Sequence, residues 1–247
     1  MVEVVNVREH DRYKNVYIVE LEDGSIKLAT VNLAPGKRVY GERLFKWGDK
    51  ELREWNPYRS KLAAALFKGI EELPIKEGHR ILYLGAATGT TPSHVSDLVG
   101  PSGRVYALDV APRVMRELIA VCETRPNMYP LLADARKPHE YRHIVELVDG
   151  LYADVAQPEQ AAIVADNADF FLKDGGYLLL AIKARSIDVT KEPSEVFKHE
   201  IEVLKSRGFE IVDMVHLEPF DKDHAMVYAR YRREKAVKKK EKYEGSE

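Results

Sequence analysis

An apolar run, a glycine-bracketed turn and a helix start follow one another without a break at Ile81-Leu82-Tyr83-Leu84-Gly85-Ala86-Ala87-Thr88-Gly89-Thr90-Thr91. An acid, Asp109, closes the next apolar run 24 positions after Gly85. That is near the ~20 residues that separate a glycine-rich turn from the ribose-binding acid in nucleoside-binding α/β folds. Gly85 and Gly89 let the backbone turn sharply and approach a ligand closely, and Asp109 can accept both hydroxyls of a ribose.

The same turn discriminates between cofactors. A dinucleotide site normally reads G-x-G-x-x-G and offers free backbone N–H groups to a pyrophosphate. Here the spacing is G-x-x-x-G, the turn is filled by Thr88, Thr90 and Thr91, and Pro92, which has no N–H, stands where the helix begins. Phosphate binding is disfavoured, and with it an NAD-dependent oxidoreductase. A phosphate-free nucleoside cofactor, S-adenosylmethionine, fits better. Taken alone, the loop also permits an ordinary strand-to-helix turn, and it permits equally a methyltransferase for a protein or a small molecule.

Short apolar runs alternate with helical stretches from Arg80 onward. The predicted strands are Ile81–Leu84, Val105–Leu108, Met128–Leu132, Gly150–Ala153, Tyr177–Ile182, Phe209–His216 and Ala225–Tyr231. Helices are predicted near Pro92–Val99, Pro112–Thr124, Tyr141–Val148, Gln157–Leu172 and Pro193–Ser206. This is an α/β, doubly wound pattern with a mainly parallel sheet. The connection from Leu217 to His224 is too short for a right-handed crossover, so the last two strands should pair antiparallel.

Upstream, Val2-Glu3-Val4, Val16–Leu21 and Ile26–Val31 alternate apolar and polar residues about a turn at Asp23-Gly24, which reads as antiparallel hairpins. A helix is predicted from Asn56 as cap and Pro57 as first residue to about Glu71. The expected architecture is an α/β class I S-adenosylmethionine methyltransferase, Rossmann-like, with a mainly parallel seven-stranded sheet and an antiparallel last hairpin. A small N-terminal antiparallel β module precedes it. The expected units are residues 1–55 (β module), 56–232 (methyltransferase domain) and 233–247 (a basic, disordered tail).

Composition narrows the partners. A formal net charge of −2 lacks the basic excess on which strong unaided nucleic-acid binding rests. The exception is the end, Arg230 to Glu247, where eight Lys/Arg face four acids. The eight histidines are scattered along the chain and Cys122 is the single cysteine, so no metal is expected and no intramolecular disulfide can form. No apolar stretch reaches the ~18–20 residues of a membrane helix, and no signal-peptide core is visible. The expectation is a soluble, cytoplasmic protein. Charged residues at 32% and a glutamine count of two point to a thermophile.

Ligands in open α/β sheets bind outside the carboxyl ends of the strands. The polar residues at those ends are Gly85–Thr91, Asp109, Asp134 with Ala135, Asp154 with Gln157, and Lys183. Taken singly, most have plain readings: Lys183 as a solvated lysine leaving the core, Asp154 as a turn acid, Lys61 as an exposed helical lysine, His224 as a strand-start histidine. Their convergence at one sheet edge is the stronger signal.

Several longer phrases resemble the fibrillarin family. They are Val39-Tyr40-Gly41-Glu42, Arg53 through Ala65 (REWNPYRSKLAAA), Tyr83 through Thr91, Ala153-Asp154-Val155-Ala156-Gln157-Pro158 and Asp223-His224-Ala225, in the family's order across residues 1 to about 232. The glycine/arginine-rich extension of eukaryotic members is missing, which makes the chain similar to the short archaeal form. The resemblance implies a ribose 2′-O-methyltransferase for rRNA and tRNA, guided by a box C/D RNA. It also implies two protein partners, a Nop-domain scaffold and a kink-turn-binding ribosomal-type protein. By the same resemblance, Lys61, Asp154, Lys183 and His224 match the proposed catalytic set. Lys183 would accept or steer the hydroxyl proton, Asp154 would orient it, and Lys61 and His224 would hold the ribose and phosphate. Gly85, Ala87 and Thr90 would line the methionine end of the cofactor, with Thr91 also counted as cofactor-binding. Asp109 would meet its ribose, Asp134 and Ala135 its adenine, and Gln157 its methionine carboxylate side, with Val110 and Asp154 also counted as cofactor-binding. A non-catalytic subunit of the same ribonucleoprotein is the competing class.

Overall fold

The computed structural model of the chain describes residues 3–236. Its first sheet is antiparallel and five-stranded: β1 (Val4–Glu9), β2 (Val16–Leu21), β3 (Ile26–Val31), β4 (Leu44–Trp47) and β5 (Lys50–Trp55), ordered β1-β2-β3-β5-β4. Alternation decides what each face of β2 meets. Val16 and Ile18 join the main core with the first helix. Tyr17, Val19 and Leu21 form a smaller core with Ala29, Phe45 and Leu52. The hairpin β4–β5 was not among the expected strands; β1 begins at Val4, and the expected Val2 lies outside the described residues.

The first helix, α1 (Lys61–Phe67), departs from the expected start at Pro57. Asn56 Oδ1 accepts from the Tyr58 N–H at 2.9 Å and its carbonyl from the Arg59 N–H, so Asn56 closes a turn. Ser60 is the cap, its hydroxyl oxygen accepting from the Ala63 N–H. Lys61 thereby becomes the first helical residue, projecting from a helix whose Leu62–Leu66 stretch is buried.

The second sheet contains β6 (Arg80–Leu84), β7 (Arg104–Asp109), β8 (Met128–Leu132), β9 (Val148–Ala153), β10 (Leu172–Lys183), β11 (Phe209–His216) and β12 (His224–Tyr231). Their order is β11-β12-β10-β9-β6-β7-β8. The five strands β6 to β10 pair in parallel, and β12 is antiparallel to both β10 and β11. Helices α2 (Thr90–Val99), α3 (Pro112–Glu123), α4 (Gln160–Phe171), α5 (Ala184–Ile187) and α6 (Pro193–Ser206) complete the α/β arrangement.

One expected helix is absent. Tyr141–Val148 carries helically spaced apolar residues, yet only a 3₁₀ turn forms at Pro138–Glu140, and residues 141–147 run irregularly into β9. Side-chain bonds win here over the helical ladder. The Tyr141 hydroxyl donates to Asn167, and Glu146 pairs with Arg80 and Arg104 while accepting from the Tyr106 hydroxyl. Residues 233–236, placed in the disordered tail by sequence, are helical and bury Ala236. The remainder of that expected tail, 237–247, lies outside the described residues.

A buried polar network joins the two sheets. Asp97 on α2 accepts from Arg125 and the Leu33 N–H at Oδ1, and from Thr30 and Arg53 at Oδ2. Arg53 also pairs with Glu42 and donates to Ser93 Oγ, with the side chains of Arg53, Glu42, Asp97 and Arg125 all 0% exposed. Buried charges persist only when paired in this way. Thr30 gives its one proton to Asp97, so Nδ1 of His94, 2.8 Å from Thr30 Oγ1, must be the donor there. His94 Nε2 faces the Tyr40 hydroxyl at 2.8 Å, and its ring stacks on Trp55. Trp55 Nε1 and Thr91 Oγ1 both donate to Ser60 Oγ, which carries the network to the cap that positions Lys61.

Candidate active site

A cleft of about 630 Å³ opens at the carboxyl ends of β6, β7, β9 and β10. It is lined by Lys61, Gly85, Ala87, Asp109, Val110, Ala135, Asp154, Gln157 and Lys183, with Arg113 and Val155 among the rest. The volume falls within the ~300–1,000 Å³ of small-ligand sites.

The turn after β6 is built as the sequence requires, with one difference of purpose. Gly85 and Gly89 have φ of 84° and 95°, conformations glycine adopts without strain. A Cβ on Gly85 would lie 2.2 Å from the carbonyl oxygen of Asp154. The close approach that Gly85 permits is therefore to the β9 end of the protein itself. Asp109 Oδ2 accepts from the Ala87 N–H at 2.8 Å and Oδ1 from the Ala111 N–H at 2.9 Å. Each oxygen keeps a lone pair, and the carboxylate stands in the cleft wall as an acceptor fixed in orientation. An acceptor-only group held between two backbone donors suits a vicinal diol. The remaining lining is chiefly apolar, which suits a nucleoside carrying no phosphate.

Asp154 lies between two lysines. Lys183 Nζ is 2.8 Å from its Oδ1 and Lys61 Nζ 3.1 Å from its Oδ2, each of the three side chains being about one-fifth exposed. Burial pushes the Lys61 ammonium toward deprotonation, but its ion pairs with Asp154 and Asp221 outweigh that and raise its pKa above the usual lysine value. Lys61 is therefore a cation at neutral pH. Gln160 ties the neighbouring loops together. Its amide donates to the Val155 carbonyl and its Oε1 accepts from the Lys183 N–H, which ties the ends of β9 and β10 together.

His224 is the cross-strand partner of Lys183 between β10 and β12 but does not line the cleft. Its Nδ1 lies 2.6 Å from the Lys222 carbonyl and 2.9 Å from Asp221 Oδ1. Three other expected residues also stand apart from the lining. Thr90 opens α2, Thr91 is buried with its hydroxyl on Ser60, and Asp134 is engaged by the Arg136 guanidinium at 2.7 Å. Hydrogen bonding to Arg136 holds the Asp134 carboxyl below its usual range. Sequence reasoning missed Asp221, Gln160 and Arg113. A glutamine three positions beyond Gln157 at the start of a helix was the one local signal available.

Among the described residues no group of His, Cys, Asp and Glu could hold a metal ion, and no helix is long and apolar enough to cross a membrane.

Comparison with known proteins places this architecture in context. The fibrillarin family profile matches residues 7–233. A fibrillarin-like rRNA/tRNA 2′-O-methyltransferase of Staphylothermus marinus is 72% identical over 233 residues, covering 94% of this chain and all of the relative. The crystal structure of Aeropyrum pernix fibrillarin with natively bound S-adenosyl-L-methionine superposes with a TM-score of 0.87 at 68% identity, over 93% of this chain and 100% of that one. A fibrillarin in complex with Nop5p matches with a TM-score of 0.80 at 41% identity, over 91% and 100% of the two chains.

Proposed function

The chain belongs to the fibrillarin family, and from that premise we propose that it is an S-adenosylmethionine-dependent RNA ribose 2′-O-methyltransferase. It is the catalytic subunit of a box C/D guide ribonucleoprotein that modifies rRNA and tRNA. The observation that carries the reading is Asp154 held between Lys61 and Lys183 at the cofactor cleft.

Bound in the cleft, S-adenosylmethionine supplies an electrophilic sulfonium methyl for a ribose 2′-oxygen. Gly85 and Ala87 border its methionine end, Asp109 accepts from its ribose hydroxyls, Val110 and Ala135 flank its adenine, and Gln157 closes the carboxylate side. The RNA hydroxyl is a weak nucleophile, so placing its oxygen matters most: alignment can remove ~7–11 kcal/mol of barrier, against a factor of ~10²–10⁴ from a general base. Lys183 steers or accepts the proton leaving the 2′-oxygen, and Asp154 aims the Lys183 amine. Lys61, kept as an ammonium, holds the ribose and phosphate together with His224.

A net charge of −2 accords with delivery of the RNA by partners. Those partners are a Nop-domain scaffold, a kink-turn-binding ribosomal-type protein and the guide RNA, whose base pairing selects the nucleotide. The setting is the cytoplasm of an archaeal cell. Single-turnover methyl transfer by Lys183→Met and Lys183→Arg in the reconstituted complex tests the central assignment. A loss of ~10²–10⁴-fold with cofactor and RNA affinities retained is expected; full activity in either variant would remove the proton-steering role.

A further inference from the structure

Asp221 completes a chain of charges that the cleft alone does not reveal. From Lys183 the chain runs to Asp154, on to Lys61 at 3.1 Å, then to Asp221 Oδ2 at 3.5 Å, and from Asp221 Oδ1 to His224 Nδ1 at 2.9 Å. Each Asp221 oxygen thus faces one member of the catalytic set, and its side chain is two-thirds covered. The carboxylate is ionised at neutral pH. Burial opposes its charge, but the hydrogen bond to His224 and the charges of His224 and Lys61 together depress its pKa.

The loop that carries Asp221 is braced at both ends. Leu217, fully buried, donates its N–H to the His224 carbonyl, and its own carbonyl accepts from the Phe220 and Asp221 N–H groups. Phe220 packs edge-on against Tyr58 in the turn before α1 at 5.1 Å, and at a tilt against Phe67 at the end of α1 at 5.6 Å, pinning the loop on both sides of that helix. The residue before His224 is secured as well, since the Asp223 carbonyl accepts from the Ala184 N–H, directly after Lys183. A carboxylate on such a mount has little freedom to turn away from Lys61 and His224.

We propose that Asp221 is a positioning residue for methyl transfer, coupling Lys61 on α1 to His224 on β12 so that both address the target ribose from fixed directions. The inference rests on the functional reading above. Lys61 has two carboxylate partners on different elements, and two anchors define the direction of its ammonium where Asp154 alone would leave a swivel. Among the described residues, Asp221 is the side-chain link from the His224 ring to Lys61, the other Nδ1 contact being the carbonyl of Lys222.

The test uses the full chain in its assembled guide complex. Asp221→Asn preserves shape but turns an anionic acceptor into an amide that can satisfy only one neighbour well. Single-turnover methyl transfer should fall about 10- to 100-fold, the scale of a lost charge-assisted hydrogen bond. S-adenosylmethionine affinity and melting temperature should stay near wild type, and Asp221→Glu should recover part of the rate. In a Lys61→Met background, Asp221→Asn should slow transfer less than it does in the wild type, because only its hold on His224 then remains to be lost. Wild-type rates in Asp221→Asn, slowdowns that multiply in the double variant, or an equal loss of cofactor affinity would each overturn the positioning role. A wild-type complex that transfers no methyl to a ribose hydroxyl would instead overturn the functional reading, and this inference with it.

Discussion

Gly85 and the carbonyl of Asp154 are in such close contact that a single methyl group on the glycine would reach to 2.2 Å of the oxygen. The cofactor turn after β6 and the acid after β9 are therefore one structural unit. Gly85→Ala should displace the Asp154 end of the cleft, since neither backbone segment can yield as a flexible side chain would. We expect methyl transfer to drop by at least about 100-fold, with strain of ~1–3 kcal/mol from the left-handed backbone reducing stability as well. Single-turnover assays and chemical denaturation of the variant check both; unchanged transfer would show that the contact relaxes freely.

Asp109 is held between the N–H groups of Ala87 and Ala111. Asp109→Ala removes the acceptor for a ribose diol and loosens the turn, and should weaken S-adenosylmethionine binding by about 10- to 100-fold. Calorimetric titration of the isolated chain measures this directly. RNA docking in the assembled complex should be unaffected, and unchanged cofactor affinity would contradict the assignment.

Arg53 is the hub between the N-terminal sheet and α2. Replacing it by methionine keeps most of the volume but strands Glu42 without its cation and leaves Asp97 paired with Arg125 alone. Loss of one partner from a buried pair costs about 3–5 kcal/mol, and denaturant unfolding should show a loss on that scale. A change below about 1 kcal/mol would mean that water or Arg125 takes over the pairing.

His94 gives the fold an acid-side limit. Burial first, and then the neighbouring Arg53 and Arg125 charges, push its pKa well below the ordinary histidine value. Neutral His94 is thus favoured by the folded state. Its contribution is fully present above the unfolded value of about 6.5 and is lost as pH falls toward the folded value. Stability should decline below about pH 6.5, with a slope from this group of up to ~1.4 kcal/mol per pH unit. Comparing wild type with His94→Gln between pH 4 and 8 isolates the contribution, and parallel profiles for the two proteins would exclude it.

The parts of the fold legible in sequence were those with local signals. The run Ile81–Leu84 with its bracketing glycines, Asp109 at a strand end and the short link before His224 dictated the parallel sheet and its antiparallel close. The β4–β5 hairpin was hidden because Lys46, Lys50, Glu51 and Arg53 break up its apolar positions. Arg53 itself reads as a surface charge until Asp97, 44 positions away, is brought beside it. The Tyr141–Val148 error has the opposite origin, a helical spacing overruled by tertiary bonds from Tyr141 and Glu146. At the site, Asp154 and Lys183 converge as their strand-end positions imply, whereas Lys61, on a helix expected to start at Pro57, was marked by the family resemblance alone. Asp221 had no such mark. It sits in a turn-like Pro-Phe-Asp-Lys-Asp stretch, and only its contact with Lys61, 160 positions earlier, gives it significance.

The most direct test of the account is transfer of labelled methyl from S-adenosylmethionine to guide-matched RNA carrying either a 2′-hydroxyl or a 2′-deoxy sugar at the target nucleotide, with and without the partner proteins. The account predicts transfer to the hydroxyl target alone, and only in the assembled complex. Equal labelling of the deoxy target, or no labelling despite bound cofactor and complete assembly, would contradict it.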